Sequence, residues 1–475
     1  MRPAALTALV LAATLSASAA QAAPLLLAVG TLGGGTDLSG LTGALENGLP
    51  GNILGGLGSG LAYVGGNTFL ALPDRGPNAT PYNSKVDDTV SYISRFQTVN
   101  LALTPSTGGP LRYTLTPTLT NTTLLYSPTA LTYGSGQGLA SPTTGKPLPS
   151  GIPAQNTSGK NYFTGRSDNY GSGTSGNPTD ARFDPESIRV SNDGRSVFIS
   201  DEYGPYVRQF DRASGQLLKT YTLPANLDIA NKAPTGDAEI GGNAAGRTAN
   251  KGMEGLAITP DGKTLVGILQ ANLLQDPAGL VRIVTIDVAT GATHEYAYTL
   301  TTGSGVSEIV AINDHQFLVD ERDGKGLGDG SKAKVKQLYE IDLAGAVDVT
   351  GTNGTDAAKA AVGKSLFLDV ADALETQDGL KSSQVPAKIE GLSFGQDIVV
   401  DGALEHTLYI ANDNDFLPGT AGGNQFFVFG VTDADLKNYV AQQVSAVPLP
   451  AGLPLFAAAL GALGCLGWRR KGARA

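Results

Sequence analysis

Short apolar runs alternate with turn signals along the middle of the chain, and one arrangement of them recurs five times. Residues 254–270 hold two apolar runs joined by an Asp-Gly pair, which is a strong signal for a β-hairpin. The same layout recurs at 186–202, 308–321 and 390–413, and a fifth copy at 59–75 begins with Ser in place of Glu. The pattern therefore predicts five similar hairpins.

Two more strands are predicted after several of these hairpins. Residues 206–211 and 216–221 flank a Ser-Gly turn, 281–287 and 294–298 flank a Thr-Gly turn, and 336–342 begin a third copy. Repeated units of four antiparallel strands are typical of a β-propeller. We therefore predict an all-β protein, a β-propeller of four-stranded antiparallel blades. Five repeats are legible, and five or six blades are expected.

Two other segments bear on the number of blades. The apolar residues 24–30 could supply a strand to the last blade and so close the ring. Residues 118–180 are rich in Gly, Ser, Thr, Pro and Asn, a composition that predicts a long surface excursion or, alternatively, a degenerate blade. The propeller domain is expected over 24–432, followed by a linker at 433–446.

The two ends of the chain differ from the middle. Residues 1–22 combine an early Arg, a short apolar run and small residues, the layout of a secretory signal peptide; a buried N-terminal helix is the alternative. Residues 447–475 join Val-Pro-Leu-Pro-Ala to an uncharged run and a basic cluster. This end resembles the VPLPA-type sorting signal, a variant of the PEP-CTERM tails of Gram-negative bacteria.

The resemblance of the tail has consequences for location. It implies an exosortase-type sorting enzyme as a partner. The uncharged run of about 20 residues is itself long enough to span a bilayer as a C-terminal transmembrane helix, with the basic cluster on the cytoplasmic side. The resemblance also implies export across the inner membrane to the cell surface or the medium, with any membrane attachment made only through this segment and only transiently.

Composition excludes several classes of protein. The net charge is −10, and a chain this acidic lacks the excess of positive charge that binding to nucleic acid requires. The single Cys, Cys465, lies in the predicted tail, so a disulfide scaffold, a thiolate zinc cluster and thiol catalysis are excluded for the exported domain. Both predicted end segments carry only basic charges, so the domain between them is more acidic still.

Acidic residues recur at fixed places in the hairpins. A Glu opens most first strands and acidic residues end most second strands; because an antiparallel hairpin brings these ends together, we expect many of them at one channel mouth. Gathered carboxylates repel one another unless a cation neutralises them, and hard oxygen ligands favour Ca²⁺, with Mg²⁺ as the alternative. The predicted metal ligands are Asp74, Glu186, Glu254, Glu308, Asp320, Glu321, Glu390, Asn412 and Asp413. Any single Glu could instead accept backbone N–H bonds and join neighbouring blades.

Catalytic roles are predicted for a subset of the same positions. The candidates are Asp201, Glu202, Glu254 and Arg322. Arg75 and Arg322 stand beside acidic residues, so they could neutralise charge or bind an anionic group of a substrate. The sequence has no Gly-x-Ser-x-Gly elbow, and its three His lie outside the repeated acidic positions. Water activated by a metal is therefore favoured over a Ser-His pair.

The hairpin motifs, read together, resemble one known family. They are Asp74-Arg-Gly-Pro-Asn78, Asp184-Pro-Glu186, Ser200-Asp-Glu-Tyr-Gly204, Asn250-Lys-Gly-Met-Glu-Gly-Leu256, Val319-Asp-Glu-Arg322 and Ile389-Glu-Gly-Leu392. Their order is similar to that of the phytase-like family, described as having esterase-like activity of phytase. The resemblance implies an exported bacterial propeller that hydrolyses esters, with six blades slightly favoured. The Asp-Asp-Pro-Ala motif and the lysine-rich cluster of propeller phytases are absent, so phytate is not the expected substrate.

Two functions from different classes follow. The first is a divalent-metal-dependent hydrolase of phosphate or carboxylate esters acting on a small substrate at the channel mouth. The alternative is a non-catalytic, calcium-stabilised propeller that binds extracellular polysaccharide or protein.

Overall fold

The structure is a computed structural model, and it describes residues 24–79, 88–134, 151–167, 176–301, 303 and 305–446. The predicted signal peptide and sorting tail lie outside the described residues, and so does the predicted transmembrane helix. Among the helices of the described ranges, none combines the length and the apolar character needed to cross a membrane.

The chain opens with a single strand and continues into the first two blades. The opening strand is β1 (Leu25–Leu32). The first blade comprises β2 (Gly60–Gly65), β3 (Thr68–Leu72), β4 (Arg95–Pro105) and β5 (Tyr113–Leu124). The short pair β6 (Tyr126–Ser127) and β7 (Asn161–Tyr162) follows. The second blade comprises β8 (Pro185–Val190), β9 (Ser196–Asp201), β10 (Tyr206–Asp211) and β11 (Leu217–Thr222).

Three more blades complete the propeller. After helix α1 (Gly236–Gly242), the third blade comprises β12 (Met253–Ile258), β13 (Thr264–Leu269), β14 (Leu280–Asp287) and β15 (Thr293–Thr299). The fourth comprises β16 (Gly305–Ala311), β17 (Gln316–Arg322), β18 (Lys336–Asp342) and, after α2 (Gly354–Lys359), β19 (Lys364–Asp369). After α3 (Val370–Asp378), the fifth comprises β20 (Lys388–Phe394), β21 (Ile398–Val400), β22 (Ala403–Asp413) and, after α4 (Pro418–Ala421), β23 (Asn424–Val431).

The described part of the chain forms a five-bladed β-propeller. The innermost strands β2, β8, β12, β16 and β20 lie side by side in that order, and β20 returns to β2. This closed ring surrounds a central channel. The all-β propeller prediction is therefore confirmed with five blades, and the preference for six is wrong, because the ring closes without a further sheet.

Strand β1 closes the ring as its sequence predicts. It pairs antiparallel with β23 from Leu25 opposite Gly430 to Leu32 opposite Asn424. The fifth blade is thus built from both ends of the domain. Non-covalent pairing joins the first and last blades, in agreement with a domain that has no Cys.

The segment 118–180 contributes no blade among its described residues. Its first part, 118–124, is the end of the outer strand β5, and the two-residue strands β6 and β7 pair with each other. The other described residues run as loops. The surface excursion is therefore the better description of the part of 118–180 that the structure describes.

Close approach between inner strands explains three glycines of the repeated Glu-Gly and Ser-Gly pairs. A Cβ at Gly60 would meet Ile188 N at 2.9 Å, and one at Gly255 would meet Ile309 N at 2.8 Å. A Cβ at Gly391 would meet Gly58 O at 2.9 Å. The inner strands can therefore pack backbone to backbone only where these positions lack a side chain.

Apolar side chains fill the spaces between blades. Strand β14, for example, buries Val281, Ile283, Val284 and Ile286 completely. Each buried side chain of this size contributes about 1.5–3 kcal/mol by leaving water. These interfaces hold the inner hairpins in register, and so they fix the two mouths of the channel: the upper mouth, where inner strands begin, and the lower mouth, where they end.

Candidate metal centre at the upper mouth

Carboxyl groups from four of the five blades converge at the upper mouth. They come from the starts of inner strands and the ends of second strands, as the hairpin pattern predicts. The predicted residues found there are Asp74, Glu186, Glu202, Glu254, Glu390 and Asp413, and each is at most 7 % exposed. The structure thus brings these six residues together at one mouth.

Three carboxyls form the tightest group. One oxygen each of Asp184, Glu186 and Glu202 lies within 4.8 Å of the other two, and all three residues are buried. Burial raises the pKa of Glu186 well above its ordinary value, and the neighbouring carboxylates of Asp184, Glu254 and Glu202 raise it further. Burial and the neighbouring acids thus both disfavour the charged form of Glu186.

Asp184 is the member of this group that the sequence reasoning missed. It lies just before β8, outside the repeated Glu position, although it stands two residues before Glu186 in the Asp-Pro-Glu motif. Its carboxylate accepts hydrogen bonds from Arg75 N and Arg75 Nη1, both at 3.0 Å. Arg75 thus ties the first blade to the acidic group of the second.

A second group, Asp74, Asp413 and Asp415, contains its own cation. Lys388 Nζ lies 2.7 Å from Asp413 Oδ2 and 2.6 Å from Asp415 Oδ1. Burial raises the pKa of Asp413 to about 7, while Lys388 opposes the rise. Lys388, also missed from sequence, thus occupies the charge-balancing role that a metal ion would otherwise take here.

Glu202 and Glu254 are neighbouring carboxyls with strongly perturbed titration. Burial raises the pKa of Glu202 to about 8, and the charge of Glu254 adds to the rise. Burial and the charge of Glu390 raise the pKa of Glu254 to about 7. Glu254 Oε1 accepts a hydrogen bond from Gln270 at 2.8 Å, whereas its Oε2 is buried without a hydrogen-bond partner. Such an oxygen is costly to bury unless a proton, water or cation meets it.

Arg322 contacts carboxylates of the third and fifth blades and a serine hydroxyl of its own, fourth blade. Its Nη2 lies 2.5 Å from Glu390 Oε1 and 3.6 Å from Glu254 Oε1, and its Nε donates to Ser307 Oγ at 2.5 Å. Burial lowers the pKa of this guanidinium, but Glu390 and Glu254 outweigh burial and raise it overall, so Arg322 stays charged.

Among the described residues, acidic side chains outnumber basic ones at this mouth. Eight carboxyls lie there: Asp74, Asp184, Glu186, Glu202, Glu254, Glu390, Asp413 and Asp415. Four cationic side chains face them: Arg75, Arg247, Arg322 and Lys388. Because unbalanced charges are expensive inside a protein, bound protons or a bound cation would offset the acidic excess among the described residues.

Glu308 lies deeper in the channel than the other repeat acids. The fourth blade reads Ser307-Glu308-Ile309 where the third reads Glu-Gly-Leu, so the acid is displaced by one position. Glu308 pairs with Arg189 at 2.9 Å and accepts hydrogen bonds from Ser187 Oγ and from Ile309 N at 3.0 Å. Glu308 also accepts a hydrogen bond from Leu256 N at 3.0 Å. It thus joins the fourth blade to the neighbouring third blade and, across the channel, to the second, which is the structural role left open for a single Glu.

Two other predicted residues make local structural contacts. Asp201 pairs with Arg208, and its Oδ1 accepts a hydrogen bond from Asp184 N at 3.2 Å. Asn412 Oδ1 accepts from Gln425 N at 2.5 Å. Asp201 positions the backbone of a member of the group, and Asn412 fixes the end of its own hairpin.

Asp320 and Glu321 face opposite sides of β17. Asp320 is completely buried without a hydrogen-bond partner for either oxygen, and burial raises its pKa well above the ordinary value while Arg322 opposes the rise. Glu321 instead contacts Tyr298 and Lys364. The structure therefore does not bring Glu321 to the upper-mouth carboxyls.

The fold and the site define a five-bladed propeller with an acidic centre at one mouth, and comparison with known families agrees. The model of the phytase-like family, described as "esterase-like activity of phytase", matches residues 52–416. The chain belongs to this family. The match spans all five inner strands and every carboxyl described above.

One relative and two solved structures are also similar. An uncharacterized secreted protein of Arthroderma benhamiae is 30% identical over 293 residues, which are 53% of this chain and 53% of the relative. The chain thus spans about half the length of that protein. Hydrazine synthase of Kuenenia stuttgartiensis (11% identity, TM-score 0.31, 77% and 79% of the two chains) also matches. So does the β-propeller domain of Cps50 (Swd1) from Myceliophteria thermophila (11%, 0.22, 48% and 51%). TM-scores this low support no inference about activity.

Proposed function

We propose that this protein is an exported, divalent-metal-dependent hydrolase of phosphate or carboxylate esters, with its metal held at the upper mouth by Asp184, Glu186 and Glu202. The observation that carries the proposal is the cluster of these three buried carboxyls, set in a mouth where acids outnumber bases. Family membership supports the ester-hydrolase class, because the family description names an esterase-like activity.

The residues present fit a hard divalent cation. All three proposed ligands offer carboxylate oxygens, the donor type that suits Ca²⁺ and, as the alternative, Mg²⁺. The second acidic group already contains Lys388, so the proposal places the metal in the first group.

The chain's own residues have distinct roles in the proposed reaction. When bound, the cation would polarise the ester oxygen and make a bound water more acidic. Glu254, whose pKa is raised to about 7, can hold a proton near neutral pH and accept or donate one at its carboxyl oxygen. Arg322 and Arg75, each anchored by a carboxylate, are placed to orient an anionic group of the substrate.

Export is supported by the relative that is described as secreted. The signal peptide at 1–22, the sorting tail at 447–475 with its exosortase partner, and a Gram-negative cell surface remain predictions from the sequence. The Cys-free domain agrees with export, since it needs no oxidative folding.

A non-catalytic propeller that binds extracellular polysaccharide or protein is the second candidate. Specific contacts favour it: Glu308 connects the fourth blade to the third and the second, and Arg322 connects the fourth to the fifth, so part of the acidic constellation stabilises the ring. In this alternative, a Ca²⁺ ion at the upper mouth stabilises the fold without turnover.

Hydrolysis assays separate the two candidates. The purified protein is assayed on a phosphomonoester and an acyl ester with Ca²⁺, with Mg²⁺ and after chelation. The proposal predicts turnover that chelation abolishes and Ca²⁺ restores, and that Glu254→Gln reduces about 100-fold or more, as expected for a general acid or base. The control is Asp356→Asn, which removes an exposed carboxylate far from the mouth. Ca²⁺ binding without turnover on either substrate would favour the alternative.

A further inference from the structure

The lower mouth of the channel is covered by the segment 433–446, which we name the C-terminal strap. The strap follows β23 in the fifth blade and then crosses the mouth. Val440 N donates to Ile312 O of the fourth blade at 2.8 Å, and Ser445 N donates to Asn192 O of the second blade, also at 2.8 Å. The segment predicted as a linker is therefore held against the propeller.

The strap is the outer wall of a cavity. A cavity of about 320 Å³ lies between the strap and the lower ends of the inner strands. Tyr63 and Arg189 line it from the propeller, and Tyr439 and Gln442 line it from the strap. Movement of the strap would therefore open the lower end of the channel to solvent.

One histidine connects the strap to the fifth blade. His406 on β22 is mostly buried, with its Nδ1 2.8 Å from Asp397 Oδ1 and its Nε2 2.9 Å from Asp433 Oδ1. Asp397 belongs to the propeller and Asp433 to the strap. The ring also packs on Tyr439 of the strap, with the ring centroids 4.4 Å apart.

This geometry requires the charged form of the ring. A carboxylate only accepts hydrogen bonds, so both ring nitrogens must carry a proton for both contacts to form. A neutral imidazole has a single N–H, and one of the two carboxylates would then face a lone pair. We propose that His406 is a pH-dependent latch, which holds the C-terminal strap on the lower mouth when its ring is protonated and weakens that hold when the ring is neutral.

The charged surroundings set the direction of the effect. Burial lowers the pKa of His406, but the hydrogen bonds and charges of Asp397 and Asp433 outweigh burial and raise it overall. Among the described residues, Tyr439 also packs against the ring, and burial keeps it neutral by raising its pKa. Glu405, the neighbour on the strand, points to the other face, toward Gly430.

The sign follows from linkage. Because the pKa is raised when the strap is docked, docking is strongest at pH values below the ordinary His pKa and weakens as the pH rises through the raised value. Each unit of difference between the docked and undocked pKa changes the docking equilibrium about tenfold.

Hydrogen exchange measures this docking directly. Protection factors of the backbone amides of 436–446, corrected for intrinsic exchange, are compared at about pH 5.5 and pH 8.5, which lie on either side of the ordinary His value. The latch predicts a clear fall in strap protection at the higher pH, with unchanged protection in the inner strands. His406→Gln should remove this pH dependence.

Two other histidines provide matched controls. His294 and His315 each contact a single Asp and are half exposed or more, so His294→Gln and His315→Gln should keep the wild-type pH dependence. Asp433→Asn tests the strap side of the contact. Because the side chain of Asp433 is 87% exposed, this variant should fold even if His406→Gln is unstable. It should lower strap protection at acidic pH to the level of the wild type at basic pH. Strap protection that is equal at both pH values, or a pH dependence that survives both substitutions, would overturn the proposal.

Discussion

Buried carboxyls at the upper mouth make the metal-free protein sensitive to pH. The pKa values of Glu202 and Glu254 are about 8 and about 7 in the fold, above the ordinary value for Glu. Between the ordinary value and these raised values, the folded state binds more protons than the unfolded state, so stability falls as the pH rises. The loss from about pH 5 to pH 8 should be on the order of a few kcal/mol.

Thermal unfolding with and without Ca²⁺ tests this pH effect. After chelation, the melting temperature should be lower at about pH 8 than at about pH 5, and added Ca²⁺ should raise it most at the higher pH, because metal binding displaces protons. A chelated protein that is more stable at pH 8 than at pH 5 would show that these carboxyls are not protonated in the fold.

Arg322 should be indispensable to the balance of charge. Replacing it with Ala leaves Glu254 and Glu390 without their cation, and breaking a buried pair in this way typically costs about 3–5 kcal/mol. Urea unfolding at neutral pH measures the loss. Arg112→Ala, which removes an exposed arginine paired with Asp401, is the control and should change stability by less than about 1 kcal/mol.

At the scale of elements, backbone contact between inner strands limits substitution. Gly255→Ala would place a Cβ 2.8 Å from Ile309 N, so the third and fourth blades must shift apart, at a cost of about 1–3 kcal/mol. The control is Gly33→Ala, where a Cβ meets nothing within 4 Å and the backbone is not left-handed. Equal unfolding midpoints for the two variants would contradict the close packing.

Elements also show what the sequence could and could not predict. The alternation of apolar and polar residues, with Asp-Gly turns, predicted the hairpins, and the repeated Glu predicted that Glu186, Glu254 and Glu390 share a mouth. Asp184 and Lys388 were not predicted as site residues, because they lie outside the repeated positions and only folding brings them to the site. The number of blades could not be fixed from sequence, because the composition of the Gly-rich region at 118–180 does not distinguish a surface excursion from a degenerate blade.

Glu308 was predicted to be a metal ligand because it opens a repeated hairpin, but its exact position in the repeat differs from that of the other Glu residues. Its shift by one residue, as Ser-Glu-Ile rather than Glu-Gly-Leu, changes the level of the channel at which the carboxylate lies. In the structure Ser307 takes the site position and accepts a hydrogen bond from Arg322 Nε, while Glu308 contacts Arg189. An exact register comparison among repeats is therefore needed to separate ligand candidates from interblade contacts.

For the whole molecule, the ring is closed only by the pairing of β1 with β23, which is held by hydrogen bonds and packing rather than by covalent bonds. Deleting residues 24–32 should leave β23 as an unpaired, apolar edge, and exposed edges of this kind promote aggregation. Size-exclusion chromatography and the unfolding transition measure the outcome. A monomeric deletion variant with the wild-type unfolding midpoint would show that β1 is dispensable.

Calorimetric titration of the metal-free protein with Ca²⁺ at about pH 8 tests the central claim most directly, because carboxylate ligands are then largely free of protons. We predict saturable binding by the wild-type protein, a loss of affinity of at least about tenfold in Glu186→Gln, and unchanged affinity in Asp356→Asn. Absence of binding, or equal affinity in Glu186→Gln, would contradict a metal centre at the upper mouth.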